Sequence, residues 1–146
     1  MYNVLKHAHS GLRWVVLALI VWAIVHAFQK RSAKANFTEG DKRPALFALI
    51  ATHIQFLIGI ILYFISPLVN FNEGFMKNAI TRFYSVEHIT MMILAVALIT
   101  VGYSRGKRKS DDLAKFNSIF WFYLIGLLIM LVSIPWPFRN LGGAWF

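Results

Sequence analysis

Residues 117–135 read NSIFWFYLIGLLIMLVSIP, an apolar run with no charged residue, closed by a proline. About 20 such residues cross a ~30 Å hydrocarbon core, so the stretch predicts a membrane-spanning helix. Working back toward the N-terminus, three more runs of spanning length lie at about residues 10–29, 44–66 and 82–103. The composition agrees: 58% of the 146 residues are hydrophobic and 14% are charged, where roughly 25% charged is usual for a soluble domain. The connections, residues 30–43, 67–81 and 104–116, are short, so consecutive helices run antiparallel as neighbours. The expected fold is all-α, one domain over residues 1–146, an integral membrane four-helix up-down bundle.

The charge pattern supplies an orientation and excludes a function class. A formal charge of +9 raises nucleic acid as a partner, but the Lys and Arg residues sit in short clusters at the ends of apolar runs. That is where topological charge lies in a membrane protein, so no nucleic acid is expected. Lys30, Arg31, Lys34, Lys42 and Arg43 fall in the first connection, and Arg105, Lys107, Arg108, Lys109 and Lys115 in the third. Lys6, Arg13, Lys77, Arg82 and Arg139 lie in the termini and the second connection. Ten against five predicts both termini outside the cytoplasm. The first run is expected to stay in the chain, because its basic cluster follows the apolar stretch, the reverse of a signal peptide. Thr38, Asp41 and Pro44 suit the start of the second helix, and Ser66-Pro67 its end. Trp136, Trp145 and Phe146 suit an aromatic interface belt.

Without cysteine, thiolate metal sites, iron–sulfur clusters and covalent haem attachment are excluded, leaving His, Met, carboxylates and backbone for any cofactor chemistry. Polar groups within apolar spans are costly and need a role. Those present are His9, Arg13, His26, Thr52, His53, Gln55, Glu87 and His88. With span centres aligned, His53 and His88 come closest in depth, which suits two neutral imidazoles holding one b-type haem iron between the second and third helices. His88 with His9, and His53 with His26, are the alternatives. Thr81, Tyr84, Ser85, His88, Ala95 and Gly102 share one helical side, predicting that His88 faces inward. On the second helix the comparable stripe is Thr52, Gln55, Gly59 and Tyr63, with His53 roughly 100° away from it. Met91 and Met92 are expected to pack, and His7 and His9 to be solvated.

Arg13 and Glu87 fall at similar depths and are expected to pair, since lipid tolerates neither charge alone. A functional reading gives Arg13 and Arg82 a haem propionate or a quinone oxygen to bind, with Glu87 orienting His88. The adjacent Glu and His project about 100° apart, which makes that orienting role geometrically poor.

The runs His9-Ser10-Gly11-Leu12-Arg13-Trp14, Thr52-His53-Ile54-Gln55, Glu87-His88-Ile89-Thr90-Met91-Met92 and Pro135-Trp136-Pro137-Phe138-Arg139-Asn140 resemble the small four-helix bacterial membrane proteins labelled cytochrome b-like. The resemblance covers nearly the whole chain and implies a haem-associated inner-membrane protein. Diheme cytochromes b place two His on one helix about 13 to 14 residues apart, a pattern this chain lacks. The expected function is b-type haem binding and electron transfer, linked to quinone. The alternative is a non-catalytic small subunit whose fourth helix, with Phe120, Trp121 and Leu124, docks onto other membrane-protein subunits. Proton conduction is disfavoured, because His26 is the sole ionisable group in the inner half.

Overall fold

The computed structural model of the chain describes residues 1–145 and contains no strand among them. Four long helices dominate: α1 (Tyr2–Ser32), α2 (Lys42–Ile65), α3 (Ala79–Arg108) and α4 (Asp112–Ser133). All four are long and apolar enough to cross a membrane. They run up and down, so both termini and the α2–α3 connection lie at one end of the bundle. Phe146, expected as an interface anchor, lies outside the described residues.

The helices outrun the apolar stretches because nothing in the flanking sequence stops them. Residues 2–9 hold no proline or glycine, so α1 begins at Tyr2 and His9 stands on a helix rather than at its edge. Asp111 caps α4, accepting from the Ala114 N–H at 2.7 Å, and Asn78 caps α3, accepting from Ile80 and Thr81. Ser66 takes an extended conformation before Pro67, ending α2 as expected.

At the end opposite the termini, the 33–41 connection folds around one carboxylate. Asp41 accepts from the backbone N–H and hydroxyl of Thr38 at 2.8 and 2.7 Å and meets His26 Nε2 at 2.7 Å, with Lys30 at 3.5 Å. Burial disfavours its charge, but the bonds from Thr38 and His26 and the charge of Lys30 outweigh that. Together they hold the carboxyl well below the usual carboxylate range. His26 is thereby committed to Asp41 and is not a partner for His53.

Side-chain size decides how closely each pair of helices packs. α3 lies against α4 through glycines: a Cβ on Gly102 would stand 2.4 Å from Phe122 Cβ, and one on Gly126 would stand 3.1 Å from Ile99. In the same seam the Ser118 hydroxyl donates to the Gly102 carbonyl at 3.0 Å. Small residues let helix backbones approach, which is how helices gain contact where the surroundings are as apolar as the side chains. Ala23 and Ala27 of α1 and Ala45 and Ala48 of α2 are buried in the same core. Fully buried Tyr123 reaches across from α4 and donates to the Ala45 carbonyl at 2.7 Å. α2 and α3 touch each other least of the adjacent pairs.

Gly102→Ala is expected to lower stability by about 1–3 kcal/mol through overpacking. Gly11→Ala, with nothing within 4 Å of the added methyl, should be neutral or stabilising. Thermal unfolding in detergent checks both; equal effects would refute the close-packed seam.

Candidate cofactor cavity

Where α2 and α3 separate, the end of the bundle carrying the termini holds a cavity of about 170 Å³ with a mostly apolar lining. α1 contributes His9 and Arg13. α2 contributes Thr52, Gln55, Gly59 and Tyr63, and α3 contributes Tyr84, His88 and Met92. The C-terminal residues 142–144 fold back to cover one side. The polar stripe of α2 therefore faces the cavity as a unit. Ser85, Ala95 and Gly102 of the α3 stripe are buried.

His88 owes its position to two backbone irregularities. Residues Phe83–Glu87 form a turn of π-helix within α3, a local widening that frees backbone groups and is frequent at functional sites. The freed Ser85 carbonyl accepts from Tyr63 OH at 2.9 Å, and the Ser85 hydroxyl exchanges hydrogen bonds with the backbone of Asn70. Across the bundle, α4 ends and its last carbonyls lose their helical partners. Side chains take them over: Trp136 donates to Leu131, Arg139 to Val132 and Ile134, and His88 Nδ1 to Ser133 at 2.8 Å. A carbonyl oxygen only accepts, so Nδ1 carries the proton and Nε2 keeps a lone pair.

His9 enters from α1, with its ring edge against Gly59. A Cβ at residue 59 would lie 3.1 Å from His9 Cε1, so glycine is what leaves room for the imidazole. His9 is not solvated as expected: its Nδ1 is buried, without a hydrogen-bond partner. Arg13 Nε, Thr52 Oγ1 and Gln55 Oε1 are likewise buried and unpaired, and all four residues line this cavity. Such clustering is unusual, since buried polar atoms are ordinarily satisfied.

The structure does not bring His53 and His88 together, contrary to the expected pair. His53 Nδ1 bonds to the Leu49 carbonyl on its own helix at 2.8 Å, and Nε2 lies 3.4 Å from Thr100 Oγ1. Thr100 is twelve residues beyond His88, about 18 Å along the helix axis. Aligned span centres fail as a guide because the helices extend unequally past their apolar runs. The histidine that shares a cavity with His88 is His9.

The expected Arg13–Glu87 pair is also absent. Arg13 donates to the Ala144 and Trp145 carbonyls at 3.1 and 2.8 Å, and its guanidinium lies over the rings of Trp14 and Trp136. Glu87 pairs instead with Arg82 at 2.7 Å, and Arg82 also donates to the Met76 carbonyl at 3.1 Å. Both members of that pair are exposed, so it contributes little to stability. Glu87 does not orient His88; the Ser133 carbonyl does.

A haem iron takes four nitrogens from its macrocycle and one or two ligands from protein. Two imidazoles on separate helices, one with its proton fixed on Nδ1, beside an apolar cavity, fit that demand. Among the described residues, no group of three or more His, Cys, Asp or Glu could hold a bare metal ion. The chain matches no protein-family model, and no curated protein or solved structure is significantly similar to it.

Proposed function

We propose that the chain spans the bacterial inner membrane four times, with both termini on the non-cytoplasmic side. There it binds one b-type haem in the cavity between His9 and His88 and transfers electrons, in exchange with a lipid-soluble carrier such as a quinone. The observation that carries this reading is the pair of histidines, from α1 and α3, lining one apolar cavity, with the His88 Nδ1–H held by Ser133 O. The spans and their orientation rest on the four apolar helices and on the basic clustering in the two connections at the opposite end. The resemblance to cytochrome b-like membrane proteins points the same way.

When bound, the haem supplies reversible one-electron chemistry at its iron. His9 and His88 would hold its iron through their imidazole nitrogens, and the mostly apolar cavity wall would help set its potential. The cavity is smaller than the roughly 300–1,000 Å³ of most small-molecule sites, so the bundle would have to widen to admit the group, and the α2–α3 seam is where packing is thinnest.

The test is a reduced-minus-oxidised absorption spectrum of the purified protein, with haem quantified against protein. Near-equal amounts of haem and protein are expected. A folded preparation from haem-producing cells that holds none overturns the reading.

A second reading, a small non-catalytic subunit, is favoured by Trp121, Ile125, Leu128 and Val132, which form an exposed stripe along α4. A haem-free protein that co-purifies in mild detergent with a stoichiometric membrane partner would establish it.

A further inference from the structure

We infer that Gln55 positions the His9 imidazole for iron, its Oε1 accepting a hydrogen bond from the Nδ1–H that ligation through Nε2 requires. This rests on the haem reading above. A neutral imidazole carries one N–H and one lone pair, so a histidine whose Nε2 binds metal must be protonated at Nδ1. That N–H needs an oxygen, and the partner fixes both tautomer and ring orientation. For His88 the oxygen is present, the Ser133 carbonyl at 2.8 Å.

Of the unpaired buried atoms that line the cavity with His9 Nδ1, Arg13 Nε can only donate, while Thr52 Oγ1 and Gln55 Oε1 can accept. Only Gln55 among them is hydrogen-bonded to His9. Gln55 is tied to this residue, because its Nε2 donates to the His9 carbonyl at 2.8 Å, a bond between α2 and α1 across 46 positions of sequence. With its N–H₂ so engaged, the amide leaves Oε1 as an acceptor, and Oε1 is buried and unpaired. The His9 Nδ1 is buried and unpaired as well. One turn further along α2, Gly59 leaves the space that the His9 ring edge occupies. Gln55 and Gly59 thus act as one device, an acceptor and a gap four residues apart on the same helix face.

The purified protein is titrated potentiometrically and its haem affinity is measured, alongside Gln55→Leu and Gln55→Glu. Removing a hydrogen-bond partner of a metal ligand typically costs about 10- to 100-fold in affinity, and that loss is expected for Gln55→Leu, with a raised midpoint potential. Gln55→Glu keeps an acceptor and makes it anionic, which increases imidazolate character and favours ferric iron. It should retain haem and lower the potential. A merely structural role predicts otherwise: Gln55→Glu loses the donor to the His9 carbonyl just as Gln55→Leu does, so both would lose stability together with no opposed shift. That result, or wild-type potentials in both, overturns the inference. Should Gln55→Leu fail to fold, Gln55→Glu decides alone, since its potential must fall below wild type as pH rises through the carboxyl titration. Wild-type protein that holds no haem would instead sink the parent reading.

Discussion

If His88 is the haem ligand proposed above, replacing it with Ala is expected to lower bound haem per chain by at least about tenfold, since loss of a ligand outweighs the 10- to 100-fold effect of losing a ligand's hydrogen-bond partner. His9→Ala should do the same, and His53→Ala should leave the reduced spectrum intact. The reasoning is positional. His9 and His88 line one cavity, while His53 bonds within its own helix and looks toward Thr100. His88→Ala also leaves the Ser133 carbonyl unpaired, at about 1–3 kcal/mol, and removes a ring packed against Phe83 and Tyr84. Size-exclusion behaviour in detergent monitors that cost independently. Full haem retention in His88→Ala and His9→Ala would overturn the ligand assignment, and haem loss confined to His53→Ala would return it to α2.

Arg13→Ala carries the second large effect, expected to fall on the C-terminal tail. The guanidinium holds two tail carbonyls and lies over Trp14 and Trp136, and Trp14 Nε1 donates to the Trp145 carbonyl at 2.9 Å. The tail packs backbone to backbone on the bundle: a Cβ on Gly143 would stand 1.7 Å from the Pro135 carbonyl oxygen, so only glycine fits there. Hydrogen bonds to a charged group contribute about 1.5–3 kcal/mol each and the ring contacts about 0.5–1 kcal/mol. These terms are not additive, and the tail can release instead of the bundle unfolding, so the expected loss is about 2–4 kcal/mol. Arg13→Lys should not restore it, because an ammonium lacks the planar fork that spans two carbonyls and stacks on indoles. Carboxypeptidase digestion reads the outcome directly: the tail should be trimmed much faster in Arg13→Ala than in wild type. Unchanged melting and unchanged trimming would refute the clamp.

Much of this architecture was legible in one dimension. The four helices follow from the length of the apolar runs, since a stretch such as residues 117–135 has no other way to satisfy its backbone in an apolar setting. The α2 stripe of Thr52, Gln55, Gly59 and Tyr63 was readable from helical spacing, and it lines the cavity. The inward heading of His88 was readable in the same way. These features share a cause, because the 3.6-residue period depends only on the helix itself.

Pairing between helices had no such signal. Whether His88 meets His53 or His9 depends on axial register, set by glycine seams such as Gly102 on Phe122 and Gly126 on Ile99. The partner of Arg13 depends on where a tail 131 residues away folds back, and Ser133 becomes a partner for His88 only because α4 ends there. The π turn at Phe83–Glu87 leaves no mark in composition either. Helix existence and facing are local properties, and the sequence by itself determined them. Register, tail docking and the choice of His9 over His53 are relations between distant segments, which only the packed bundle decided.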